Sequence, residues 1–199
     1  MSATNAPFGL RPAFHPSGLD RAQALANGIT STYSTDILKG QPVKYDTAGV
    51  IVVAATGDAF VGAFDGVEWT DTTGRRRISN YWPASTAYTT GSCVAYFYND
   101  PNIVYEIQCD GSLAQTSIYD QADLSATTAG STTTGLSQCT LSSTLKGANG
   151  QGQMRIVDLA PYVDNAWGDS YTVVRCTIAK HQVSQYYTAA NTAAYPVAL

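Results

Sequence analysis

The sequence predicts an all-β protein, a sandwich or a jelly-roll-like, partly closed barrel domain. Three observations carry that expectation. Charged residues fill only 13% of the 199 positions, about half the usual ~25%, and Ser, Thr, Gly, Asn and Gln take their place. Of the fifteen acids, only Glu68 and Glu106 are glutamate. Glu and Lys favour exposed helix faces, whereas Asp favours caps and turns, so their scarcity speaks against helices. Thirteen tyrosines, with many Val and Thr, fall in short runs divided by turn residues, which is strand composition.

The length suits one domain with arms. A chain of this size buries about 70% of its unfolded surface and needs no staple. Residues 1–30 read as an extended N-terminal arm, residues 31–181 as the β-domain, and residues 182–199 as an uncharged C-terminal tail. The arm carries Pro7, Pro12 and Pro16. Each fixes its own φ and pushes the residue before it towards extended backbone. Phe8, Leu10 and Phe14 are apolar anchors along it, so the segment is expected to lie on its own domain or on a neighbour. Residues 19–26 fit one or two helical turns, with Ser17 or Asp20 near the cap.

Strands follow. Pro42-Val43-Lys44-Tyr45 and Val50-Ile51-Val52-Val53-Ala54 flank Asp46-Thr47-Ala48-Gly49, a hairpin pattern. Phe60-Val61-Gly62-Ala63-Phe64 continues through Gly66-Val67-Glu68-Trp69 to a turn at Asp71-Thr72-Thr73-Gly74. The Arg76–Tyr81 stretch alternates. Residues 93–111 read as a central hairpin about the turn Asn99-Asp100-Pro101-Asn102. Its first run is apolar on both sides, with Val94, Tyr96 and Tyr98 opposite Cys93, Ala95 and Phe97. That is the pattern of a central strand, or of one whose outer face meets a second sheet or a sister protomer. In its second run, Ile103, Tyr105, Ile107 and Cys109 point one way and Val104, Glu106, Gln108 and Asp110 the other. That is the period of a half-buried strand.

Residues 113–124 fit either a short helix or a loop, and residues 126–135 a Thr-rich loop. Residues 136–145 and 154–159 read as strands on either side of a Gly-rich turn. Residues 171–178 form another strand, with Val174, Cys176 and Ile178 on one face and Val173, Arg175 and Thr177 on the other.

The residues point away from chemistry. His15 sits in the Pro-rich arm. His181 follows a strand, without the Gly-x-Ser-x-Gly elbow of a serine hydrolase. The acids occupy turn positions, where capping accounts for them. The glycines of residues 147–152 lack the Lys-Ser/Thr of a phosphate loop. The cysteines Cys93, Cys109, Cys139 and Cys176 show no zinc spacing. A Cys93–Cys109 bridge is conceivable across the hairpin, although buried thiols fit a cytosolic synthesis better. A net charge of −4 offers nucleic acid no general attraction. No signal peptide is expected, and no apolar run approaches the ~18 residues of a membrane span. The expectation is a non-enzyme without catalytic residues, cofactor or metal. Edges poor in Lys, with an anchored arm and an uncharged tail, suit a subunit whose surfaces are covered by neighbours.

Several segments carry a family resemblance. They are Ala6-Pro7-Phe8-Gly9-Leu10-Arg11-Pro12, Phe14-His15-Pro16-Ser17-Gly18, Asn80-Tyr81-Trp82-Pro83, residues 99–108, residues 130–137, Gly150-Gln151-Gly152-Gln153 and Asp164-Asn165-Ala166-Trp167-Gly168-Asp169. In this order they resemble the capsid decoration (cement) proteins of tailed phages, cyanophages among them, to about His181. The resemblance implies a structural protein on the outer capsid surface of the virion, made in the host cytoplasm. It would clamp adjacent capsomers of the expanded shell. The implied partners are the phage major capsid protein and the chain itself, as a homotrimer or homodimer, without nucleic acid or membrane. Phe8, Leu10, Arg11 and Phe14 of the arm are the candidate partner-binding residues. The alternative is a capsid-surface carbohydrate-binding module for host attachment, with Trp69, Trp82 and Trp167 as stacking platforms.

Overall fold

The computed structural model describes residues 2–18, 22–147 and 150–184. Their regular structure is all β. The strands are β1 (Arg11–Phe14), β2 (Gln23–Ala26), β3 (Pro42–Tyr45), β4 (Ile51–Val53), β5 (Gly62–Thr70), β6 (Arg76–Ser79) and β7 (Val94–Phe97). After them come β8 (Val104–Gln108), β9 (Gln121–Ser125), β10 (Gly130–Ser131), β11 (Leu136–Ser137), β12 (Thr140–Leu145), β13 (Met154–Leu159) and β14 (Val173–Ile178). A first sheet runs β1-β8-β14-β13-β9-β12, and a second runs β2-β7-β5-β3-β4 with β6 also on β5. Every strand pair is antiparallel. Neither sheet closes into a barrel, and the arrangement is sandwich-like.

Each sheet has its own core. Tyr105, Ile107, Leu124, Leu141, Met154, Ile156, Val174 and Cys176 fill the first, while Val43, Ile51, Phe64, Val67, Trp82, Ala95 and Phe97 fill the second. Period-two alternation produces this, as in β14, where Val174, Cys176 and Ile178 face inward. The β3–β4 hairpin forms as the residues predict. Asp46 Oδ1 accepts from the backbone N–H of Ala48 at 2.8 Å, and Gly49 supplies the left-handed φ of +76°. Asp71 caps the β5–β6 turn in the same way.

The expected 93–111 hairpin is corrected. The turn exists, with Asn102 N–H donating to Asp100 Oδ1 at 2.8 Å, but the strands on either side belong to different sheets. β7 pairs with β2 and β5, and β8 pairs with β1 and β14. The chain crosses between sheets where Tyr98 N–H donates to the Ala63 carbonyl at 2.9 Å. A Cβ on Gly62 would lie 1.7 Å from the Tyr98 carbonyl oxygen, so only glycine permits this crossing. Turn chemistry reports a local reversal. It does not report which sheet receives each strand.

β7 lies between β2 and β5, inside its sheet, whereas the burial of β8 departs from the half-buried pattern expected. β7 is half-buried, with Ala95 and Phe97 inward and Val94 and Tyr96 outward. β8 is buried on both faces. The N-terminal segment covers its polar side: Gln108 Oε1 accepts from Ala6 N–H at 2.9 Å, and Gln108 Nε2 donates to the Thr4 carbonyl at 3.0 Å.

The described residues of the 1–30 stretch therefore do not stand apart from the 31–181 domain as an arm. Among the described residues, Arg11–Phe14 is the edge strand of the first sheet and Gln23–Ala26 an edge strand of the second. The prolines that suggested an arm also suit an edge strand, where Pro12 needs no N–H. Gln23–Ala26 is a strand, not the expected helical turn, and the other half of that turn, residues 19–21, lies outside the described residues. Residues 113–124 contain a single 3-10 turn, Gln115–Ser117, before β9 begins. The four cysteines are buried and unbridged, with Cys93 in the second core and Cys109 in the first. Of the tail, only residues 182–184 are described.

Candidate functional site

The N-terminal residues singled out in the sequence meet on β8. Arg11 lies opposite Glu106 in the β1–β8 register, and its Nη2 donates to Glu106 Oε2 at 2.8 Å. Arg175 of β14 lies opposite Glu106 on the other side, and its Nε donates to Oε1 at 3.3 Å. The Tyr162 hydroxyl donates to Glu106 Oε2 and accepts from Arg11. Aromatic rings flank both guanidinium groups. Arg11 lies 4.5 Å from the Phe8 ring centroid and 5.7 Å from that of Tyr162, and Arg175 lies 5.5 Å from that of Phe14.

The electrostatics follow from this packing. Burial alone would raise the Glu106 pKa. The hydrogen bonds from Tyr162 and Arg11, with the guanidinium charge, outweigh burial and hold the carboxyl below its ordinary range. Burial and the bond to Glu106 both push the Tyr162 phenol up. A carboxylate held ionised with its oxygens occupied is poorly placed for proton transfer. What the cluster presents outward is surface. The side chain of Arg11 is 43% exposed and Phe14 is 42% exposed. Val163, next to Tyr162, is fully exposed. Arg with aromatic residues is the composition of interface anchors.

Of the four predicted residues, Phe8, Arg11 and Phe14 come together here. Leu10 points the other way, 1% exposed and within the first core, so it anchors its own domain. Tyr162, Arg175 and Glu106 were not picked out in the sequence. One signal was present: Glu106 and Arg175 are opposite charges on the polar faces of two alternating runs, a pattern that fits neighbouring strands.

The remaining candidates hold structure together. His181 is 2% exposed. Its Nε2 lies 3.0 Å from the Val61 carbonyl and 3.2 Å from that of Asn99, and its Nδ1 accepts from Val183 N–H at 3.2 Å and Ser184 N–H at 3.3 Å. That pattern requires the neutral ring protonated on Nε2, and burial holds its pKa below the ordinary value. His15 pairs with Asp100 at 3.3 Å. Arg76 and Arg77 pair with Glu68 and Asp71. No group of three His, Cys, Asp or Glu able to hold a metal occurs among the described residues. No described helix is long and apolar enough to cross a membrane. Trp69 and Trp82 lie inside the second core and Trp167 packs against the first, so the first two are not available to stack on a sugar. A polar cleft of about 480 Å³ is lined by Lys44, Tyr45, Asp46, Asp58 and Gln182. Lys44 and Asp58 are paired to each other at 2.7 Å, and the Gln182 amide bonds the Tyr45 backbone.

No family model, curated protein or solved structure matches the chain.

Proposed function

We propose that this is a structural virion protein. It binds the outer surface of an expanded tailed-phage capsid and clamps adjacent capsomers, as the ordered motifs of the decoration-protein resemblance imply. The supporting observation is the Arg11–Phe14–Tyr162 surface. The N-terminal motif that carries the resemblance also forms an exposed patch of guanidinium and aromatic groups, backed by Glu106 on the buried strand β8 and by Arg175 on β14. The partner is the major capsid protein. Binding a surface that exists only after expansion stabilises the expanded shell by mass action, and many copies on one shell reinforce one another.

The test is co-sedimentation of the full chain with expanded capsids lacking it. Phe14→Ser removes an exposed ring and leaves the core intact. It is expected to lower retention by at least about tenfold, the loss typical of an interface anchor, with an unchanged thermal melt. Undiminished retention of a Phe14→Ser/Val163→Ser double variant overturns this assignment of the surface.

A further inference from the structure

His15 has a second partner besides Asp100. The turn His15-Pro16-Ser17-Gly18 closes where Gly18 N–H donates to the His15 carbonyl at 2.8 Å. Pro16 sets the φ of its second position, and glycine suits the fourth. This folds Ser17 back onto the His15 ring. Its N–H donates to Nδ1 at 3.0 Å and its hydroxyl donates to the same nitrogen at 2.6 Å. Nδ1 therefore carries no proton, and that of the neutral ring sits on Nε2. There the Asp100 carboxylate lies 3.3 Å away, brought by the crossing between the two sheets. Asn102 N–H fixes that carboxylate at 2.8 Å. This bond, with the His15 ring beside it, holds the acid below its ordinary range.

Hydroxyl, imidazole and carboxylate form a chain with the roles of a nucleophile, a base and the acid that orients the base. The two ring nitrogens are exchanged relative to the usual triad, and either imidazole nitrogen can donate or accept. The His15 side chain is 11% exposed, so the base is shielded, while Ser17 is exposed. A Cβ on neighbouring Gly18 would meet nothing, so an incoming molecule has room beside the hydroxyl. The N–H groups of Ser17 and Gly18 are both engaged within the turn. Neither is left to stabilise an oxyanion, so the fitting substrate is an ester with a good leaving group, not an amide.

We propose that Ser17 is a nucleophile activated by His15, with Asp100 as a positioning residue, and that it takes the acyl group of a small activated carboxylic ester and passes it to water. Ser17 Oγ bonds to the carbonyl carbon as His15 Nδ1 takes the hydroxyl proton. The bond from that carbon to the leaving oxygen breaks, and the leaving oxygen receives the proton. Water then attacks the acyl-serine, Nδ1 passes the water's proton to Oγ, and the carboxylic acid departs. While Nδ1 is protonated, the Ser17 N–H loses its acceptor, but it lies at the surface, where water replaces it. The site is independent of the capsid reading.

Turnover of p-nitrophenyl acetate by the full chain tests it, with peptide mapping by mass spectrometry. The wild type is expected to release nitrophenolate at least about tenfold faster than Ser17→Ala, a modest share of what general-base catalysis supplies. It is expected to carry acetyl on Ser17 when quenched early, and the two proteins to share one thermal melt. Asp100→Asn keeps the oxygen that caps Asn102 N–H and removes the charge. It is expected to lower the rate and to move the midpoint of the rate's pH profile to lower pH, because the imidazolium loses its counter-charge. A wild type no faster than Ser17→Ala, acetyl on His15 or lysines with none on Ser17, or a midpoint that Asp100→Asn leaves in place overturns the proposal.

Discussion

Arg11 and Glu106 stand opposite one another in the β1–β8 pair, bonded at 2.8 Å although 95 positions separate them in the chain. Arg175 and Tyr162 bind the same carboxylate. Glu106→Gln leaves two guanidinium groups without their counter-charge. Breaking a fully buried pair costs about 3–5 kcal/mol. Arg11 is 43% exposed, and its access to water reduces the loss, so the expected destabilisation is about 2 kcal/mol. Urea unfolding of wild type and variant measures it. The folded Glu106 pKa is depressed, so this contribution is present above the unfolded pKa. The difference between the two proteins is expected to shrink as pH falls through the folded value.

Leu10 and Phe14 separate packing from surface. Leu10→Ala empties part of a core and is expected to cost about 3 kcal/mol, whereas Phe14→Ser leaves stability within about 1 kcal/mol. Deleting residues 1–18 removes Leu10 and strand β1 together. That truncated chain is expected to show a markedly lower denaturation midpoint and greater binding of a hydrophobic dye.

Gly62→Ala forces a methyl group into the Tyr98 carbonyl. The obstacle is backbone and has no rotamer to escape into. A loss of about 3 kcal/mol or more is expected by thermal or urea unfolding, against a near-neutral change at Gly147→Ala, where the added methyl meets nothing.

His181 makes the fold sensitive to mild acid. Its folded pKa lies below the ordinary value of 6.5, so the unfolded chain takes up the proton first. Stability is therefore level above about pH 6.5 and declines as pH falls through the window down to the folded pKa. A protonated Nδ1 would also face the N–H groups of Val183 and Ser184. Midpoints of urea unfolding measured from neutral to mildly acidic pH are expected to fall with pH in the wild type. His181→Gln is expected to lower the neutral midpoint and flatten that slope.

Burial raises the thiols, Cys93 to about 11 and Cys139 to about 12. Ellman's reagent at pH 8 is expected to find no rapidly reacting thiol in the native protein, and all four once guanidinium unfolds it.

The strand periods were legible because each is a local property. Val174, Cys176 and Ile178 alternate whatever their surroundings, and Asp46 and Asp71 mark turns through bonds only two residues long. The partners of those strands were not legible. Gln108 looked solvent-facing because Thr4 and Ala6, which bind it, lie about a hundred positions earlier. Asn99 to Asn102 announced a reversal, but the second sheet's hold on Tyr98 comes from Ala63. The candidate site divides the same way. Phe8, Arg11 and Phe14 stood out as anchors in a Pro-rich stretch. Tyr162 and Arg175 acquire meaning only once β14 lies beside β8, and Leu10 could not be assigned to the core until β1 had a sheet to join.

The order of strands along the chain gives the β1–β8 pair a mechanical meaning. The whole second sheet, residues 23–97, is spooled out between β1 and the return at β8. Closing so long a loop carries an entropic cost that grows only slowly with its length, so the chain can form the second sheet first and fasten β1 last. Tension applied at the N-terminal end would reach β1 before any other strand. It would load the bonds of Thr4 and Ala6 to Gln108 first, then Leu10 in the first core and the Arg11–Glu106 contact beside it. The N-terminal strand is a buckle, whose release would free the chain leading into the second sheet while the crossing at Tyr98 and the bonds of Gln153 and His181 to residues 55–61 still held.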